Sequence, residues 1–191
     1  ANSRIEIIES EKSFNLPIIN PATGAASRTF RQAGKRDRIG RLPDGRIVLM
    51  ETKFVSDDIC TDSDYWRVLG LNQQISKYIL AARAEGIDVE SAMQDVIRKP
   101  TIKPTDVPEI DADGIAIVRD IEGNRVKNKN GAWRQTADDA KGYTLRKFPM
   151  TPDQWRAKLA ADIADRPEYY YARKEIPRLD TDLDEYQAEL W

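Results

Sequence analysis

Residues 36–54 read RDRIGRLPDGRIVLMETKF, and the interpretation of this stretch decides the fold. Residues 46–54 are rich in Ile, Val, Leu and Phe and follow the turn signal Leu42-Pro43-Asp44-Gly45, which predicts a strand. Residues 36–42 form its expected partner. A three-residue loop suits Pro43-Asp44-Gly45, with Pro setting φ for a type I turn and Gly taking the left-handed bulge position. If Leu42 then faces Arg46, Asp37 falls opposite Glu51, and period-2 alternation puts Lys53 on the same face as Glu51. Opposed β-carbons lie about 4.5–5.5 Å apart, so two carboxylates and an ammonium are brought within reach of one another.

Two carboxylates at that separation repel, and one is pushed toward protonation unless a cation neutralises the pair. Mg²⁺ does this with hard oxygen ligands and keeps waters that can be deprotonated or can bridge to a phosphate. Lys53 is placed to stabilise charge developing on a phosphate or to help activate water. The same three residues also suit a surface hairpin with solvated ion pairs, which are cheap to make. Taken alone, they leave both readings open.

Downstream, residues 67–86, RVLGLNQQISKYILAARAEG, place Leu71, Ile75, Ile79 and Ala82 at helical spacing, with Gly86 as a stop. Gln74 and Tyr78 are four apart and share one helix face bordering the apolar stripe. By themselves they fit the margin of an amphipathic helix, where Tyr keeps its hydroxyl wet and Gln is solvated.

Together these segments resemble the PD-(D/E)XK nuclease superfamily, in particular the RecB-type and lambda-exonuclease-like branch found in repair nucleases and phage recombination enzymes. That branch has an Asp, then (D/E)-x-K on the next strand, then a helical Q-x-x-x-Y motif. Here they stand as Asp37, Glu51-Thr52-Lys53 and Gln74-Ile75-Ser76-Lys77-Tyr78. The resemblance is strongest over residues 11–98. It extends weakly into the tail through Arg166-Pro167-Glu168-Tyr169-Tyr170 and Ile176-Pro177-Arg178-Leu179.

The resemblance implies an α/β (α+β) fold with a mixed, mainly antiparallel central sheet flanked by helices. It also implies Mg²⁺- or Mn²⁺-dependent hydrolysis of DNA phosphodiester bonds by an exonuclease of recombination, repair or phage DNA processing. Asp37 and Glu51 would be metal ligands, the Thr52 carbonyl a further ligand and Lys53 the catalytic lysine. Gln74 and Tyr78 would position the active site or the nucleic-acid backbone. Implied partners are single- or double-stranded DNA, with a homo-oligomer or a recombination partner protein as sources of processivity. The alternative is a noncatalytic nucleic-acid-binding or assembly module that retains a nuclease fold.

One part of the family pattern is missing. RecB-type enzymes often carry an upstream His as a metal ligand, and this chain has no His. The chain opens at Ala1-Asn2 without Met, so either that segment is absent or another carboxylate replaces it. Glu11 is the expected substitute and Glu9 the second choice; Glu11 equally fits a solvated residue before Phe14.

With 191 residues, 40% hydrophobic and 32% charged, the chain suits one domain with a sizeable core. A single Cys60 excludes a disulfide framework and zinc-ligand spacing, so a reducing compartment is expected, and without His no Cys-His pair exists. No apolar run nears the roughly 20 residues of a membrane span, and no signal peptide is visible at this start. A cytoplasmic setting, the host cytoplasm if phage-encoded, is the corresponding expectation.

The net charge of −2 argues against a dedicated nucleic-acid binder. Locally, Arg31, Lys35, Arg36, Arg38, Arg41 and Arg46 stand against Asp37 and Asp44, and further basic clusters are Arg98, Lys99 and Lys103, then Arg125, Lys127, Lys129 and Arg134. Such clusters suit salt-sensitive phosphate contacts or plain solvated faces.

Along the chain, 5–8 and 14–19 read as an opening strand pair, 28–33 as a return to the sheet, 56–63 as an exposed loop and 91–97 as a further strand. Residues 99–148, punctuated by Pro and Gly, read as an elaborated loop or small β insertion, and no internal repeat is read along the chain as a whole. Thr151-Pro152-Asp153-Gln154 fits a capping box with Pro at the first helical position. A helix to about Asp165, a strand over 169–176 and an acidic helix over 180–191 complete the C-terminal part.

Overall fold

The computed structural model describes residues 4–191; the opening Ala1-Asn2 lies outside the described residues. The chain divides into two compact units, one formed by residues 1–100 with 166–191 and the other by residues 101–165. The second unit therefore takes in the helix that the sequence suggested as part of the C-terminal segment.

The first unit is a mixed α+β structure around a five-stranded sheet. Its strands are β1 (Glu6–Ile19), β2 (Ala26–Arg41), β3 (Ile47–Val55), β4 (Ser91–Arg98) and, from the far end of the chain, a strand at Tyr171–Pro177, in the spatial order just given. Three neighbouring pairs are antiparallel, and β3 with β4 is parallel. Between β3 and β4 come α1 (Asp64–Gly70) and α2 (Gln73–Ala84), the crossover that a parallel pair requires.

The hairpin between β2 and β3 has the expected register, with Arg38 opposite Met50, Ile39 opposite Leu49 and Arg41 opposite Ile47. It closes through Leu42 N–H to the Arg46 carbonyl and Gly45 N–H to the Leu42 carbonyl. Gly45 has φ 93°, a conformation that costs a side-chain-bearing residue about 1–2 kcal/mol.

Three elements differ from the sequence reading. The opening strand pair and the return segment are instead two long strands, β1 and β2, paired over most of their length. A register shift between Ile7 and Glu9, and Glu11 at φ 54°, absorb the irregularity. The helix expected over 67–86 is broken in two: Asn72 caps α2 by accepting the Gln74 N–H at 2.8 Å, and Leu71, outside both helices, is 83% exposed. Tyr169 and Tyr170 belong to a four-residue helical turn (Pro167–Tyr170), and the strand starts only at Tyr171.

One sheet face buries Phe14, Ile39, Leu49, Ala92, Val96 and Ile176 against Ile75, Tyr78, Ile79 and Ala82 of α2 and Leu183 of the terminal helix (Asp180–Leu190). At one margin of this core Arg36, 0% exposed, donates to Glu9 at 2.7 Å and to Glu85 at 2.5 Å. The opposite face carries buried Val48 and Met50 and a set of polar contacts. There Arg173 and Tyr171 donate to Asp95, and Arg46 and Ser91 to Glu175.

The second unit contradicts the expectation of no internal repeat. Three successive turns, Asp111–Gly114, Asp120–Gly123 and Asn128–Gly131, share one closure. The first residue's N–H bonds the carbonyl four residues on, and the glycine N–H bonds back to the first residue's carbonyl. Each turn is flanked by an antiparallel bridge, Ile110 with Ala116, Arg119 with Arg125 and Lys127 with Trp133. A helix at Pro152–Asp165 completes the unit, opened by the expected reciprocal box between Thr151 and Gln154. Among the described residues no helix is long and apolar enough to cross a membrane.

Candidate functional site

The last residues of β2 and β3 to pair are Arg38 and Met50. One step further along the same register stand Asp37 and Glu51, where the strands part and Asp37 instead accepts the Thr52 N–H at 3.3 Å through Oδ2. Alternation then puts Glu51 and Lys53 on the face covered by α2. Thr52 points to the other face, where its hydroxyl accepts from Arg38 at 2.6 Å.

Over this strand end α2 presents Gln74 and Tyr78. Lys53 Nζ donates to Glu51 Oε1 at 2.5 Å and to Gln74 Oε1 at 3.3 Å. Gln74 Nε2 donates to Glu51 Oε1 at 3.3 Å and to the Tyr78 hydroxyl at 2.9 Å. The Tyr78 ring is held edge-on by Phe14, with centroids 5.8 Å apart. Asp37, Glu51, Lys53, Gln74 and Tyr78 are therefore brought together by two strands and one helix.

Electrostatically the group is unbalanced. Glu51 is 5% exposed, and burial pushes its carboxyl above the usual range; Lys53 pulls it down, and the Asp37 charge adds to the rise. Its second oxygen, Oε2, is buried without any hydrogen-bond partner. A divalent cation would answer both conditions, since it favours the ionised carboxylate and takes oxygen lone pairs. A bare carboxylate oxygen beside a second acid is thus the donor chemistry that a hard cation takes.

Glu11 does not join them. Its carboxylate is ion-paired with Lys35 at 2.6 Å on the exposed side of the sheet, and Glu9 is taken by Arg36 and Lys12. Among the described residues no group of three or more His, Cys, Asp or Glu gathers in a way that could hold a metal ion. The expected substitute for the missing His is therefore not supplied by either residue.

The chain matches no protein-family model and no curated protein. The site rests on its own geometry.

The basic cluster around Asp37 is largely spent inside the fold. Besides Arg36, Arg38 and Lys35, Arg31 donates to Asn15 and Arg46 to Asp44 and Glu175. Arg36 meets Glu85 at the end of α2 while Arg38, two residues on, meets Thr52 on the other face, a break in strict alternation along β2 that linear charge counting does not reveal. Gln94 on β4 was missed by the sequence reading. It is the register partner of Glu51, and the signal for it was a polar residue in the buried alternation Ala92, Gln94, Val96.

Proposed function

We propose that the chain is a metal-dependent deoxyribonuclease of the PD-(D/E)XK type that hydrolyses DNA phosphodiester bonds, acting as an exonuclease. The observation that carries this reading is the gathering of Asp37, Glu51, Lys53, Gln74 and Tyr78 at one strand end, with a buried Glu51 oxygen left without a partner.

Asp37 and Glu51, with the Thr52 carbonyl, would hold Mg²⁺ or Mn²⁺, which when bound supplies a Lewis acid and an acidified water. The Lys53 ammonium holds its proton beside the carboxylate and can donate it to a non-bridging phosphate oxygen as negative charge develops there. Gln74 fixes both partners, accepting from Lys53 through its oxygen and donating to Glu51 through its nitrogen. Tyr78, wedged by Phe14, anchors Gln74 from behind. The side chains thus form a preorganised chain from helix to strand, so little reorganisation is needed when a phosphate arrives.

A second reading is a noncatalytic DNA-binding or assembly module. It is favoured by the Lys53–Glu51 ion pair, which closes the site on itself. The two separate in one experiment: incubation of the purified chain and Lys53→Met with end-labelled linear duplex and single-stranded DNA in Mg²⁺, in Mn²⁺ and in chelator. Cation-dependent loss of label in the parent alone supports the enzyme. Salt-sensitive binding without cleavage of any substrate supports the module.

A further inference from the structure

We infer that Gln94 is a positioning residue for Glu51, holding the carboxylate's buried oxygen through one internal water molecule that the two side chains share. β4 turns Ala92, Gln94 and Val96 toward α2, and all three are 0% exposed. An apolar side chain would be the default at the middle position. Instead an amide is buried there, with neither its oxygen nor its nitrogen in a hydrogen bond. A polar group removed from water without a partner is costly to the fold.

A second unpartnered atom of the same kind lies beside it. Glu51 and Gln94 are register partners on parallel strands, about 4.8 Å apart in the pairing direction with side chains on one face. Glu51 Oε2 is likewise buried and without a hydrogen bond. Both residues line a small cavity of about 10 Å³, together with Lys53, Gln74 and Tyr78. That is near the lower limit of about 10–15 Å³ for one water, and such waters serve otherwise unsatisfied polar groups. A water at this point donates one proton to Glu51 Oε2 and accepts from Gln94 Nε2. The carboxylate is then oriented at both ends, with Oε1 on Lys53 and Gln74 and one lone pair of Oε2 on the water, the other lone pair of Oε2 remaining for a cation.

The consequence for cation binding rests on the nuclease reading; the contact between Gln94 and Glu51 does not. The test has two readouts. In chelator, urea unfolding of the parent, Gln94→Leu, Glu51→Gln and the double variant forms a double-mutant cycle, with Gln94→Met replacing Gln94→Leu should the latter not fold. Coupling of at least about fivefold in the unfolding constant is expected between interacting neighbours. Direct titration with Mn²⁺ should then show binding at least about tenfold weaker in folded Gln94→Leu than in the parent, as for loss of a group that orients a ligand. A purely packing role would change stability and leave Mn²⁺ affinity unmoved. Additive effects in the cycle, or unchanged Mn²⁺ affinity where the parent binds, overturn the inference. A coupled cycle in a parent that binds no Mn²⁺ removes the nuclease reading and upholds the contact.

Discussion

Lys53 Nζ sits 2.5 Å from Glu51 Oε1, two residues along one strand, and both are tied to Gln74 of the covering helix. In this arrangement the ammonium and the carboxylate are each other's counter-ion, and any phosphate must compete for the lysine.

Replacing Lys53 by Met keeps the stem and removes the charge. Cleavage of end-labelled DNA in Mg²⁺ is expected to fall about 10²–10⁴-fold, with far-UV circular dichroism unchanged. Activity within twofold of the parent would remove Lys53 from the mechanism.

Glu51 gives a dependence on pH whose sign follows from its burial. The folded chain holds a proton that the unfolded chain has released once pH exceeds about 4.3, the ordinary glutamate value. Stability in chelator therefore declines as pH rises from there through the raised folded-state value, then levels off. Glu51→Gln carries no such proton, so its urea midpoint should gain on the parent's across that interval. A difference between the two that stays constant with pH would contradict the assignment.

Arg36 is fully buried between Glu9 and Glu85. Arg36→Met leaves two acids at a desolvated margin and is expected to cost about 3–5 kcal/mol, read from chemical denaturation. The hydrogen bond from Arg36 holds the Glu85 carboxyl below its usual range. That contribution is present above the ordinary carboxylate value and lost as pH falls through the lowered one. Glu85→Gln should accordingly lose stability at neutral pH and show a shallower decline in acid; an unchanged acid limb would count against the pairing.

Gly34 lies under the aromatic pair that anchors the site. A Cβ there would come 2.8 Å from Phe14 Cζ and 3.1 Å from Tyr78 Cε1. Gly34→Ala should destabilise by about 1–3 kcal/mol through overpacking and also lower cleavage by displacing Tyr78 from Gln74. A stable variant with full cleavage would show that Tyr78 is not held from behind.

How much of this was legible in sequence depended on whether a residue's partners were local. The register of Asp37 and Glu51 followed from one turn, because Pro43-Asp44-Gly45 sets the pairing of everything on either side. That Gln74 and Tyr78 share one helix face followed from their spacing, whereas their place beside Glu51 was expected only from the resemblance of the three ordered motifs. The break at Asn72 was written in the chain as a capping residue but was masked by apolar periodicity running through Leu71. Glu11 failed as a ligand because its left-handed backbone and its pairing with Lys35 depend on how β1 bends along β2, which no local pattern encodes. Gln94 became meaningful only when the parallel crossover set it beside Glu51, 43 positions away in the chain.

The three like turns of the second unit bear on how such a chain can vary. Each is closed by its own backbone atoms and by one further bond across its own two arms: the Ile117 N–H to the Glu109 carbonyl, the Val126 N–H to the Val118 carbonyl, and the Arg134 N–H to the Val126 carbonyl. The spacing is nine residues and then eight, and Val126 serves two hairpins at once, closing the second with its N–H and the third with its carbonyl. Loss of the second or third hairpin therefore opens a bond of the other, and the Arg125–Asp111 ion pair ties the first to the second, so these turns vary as one piece.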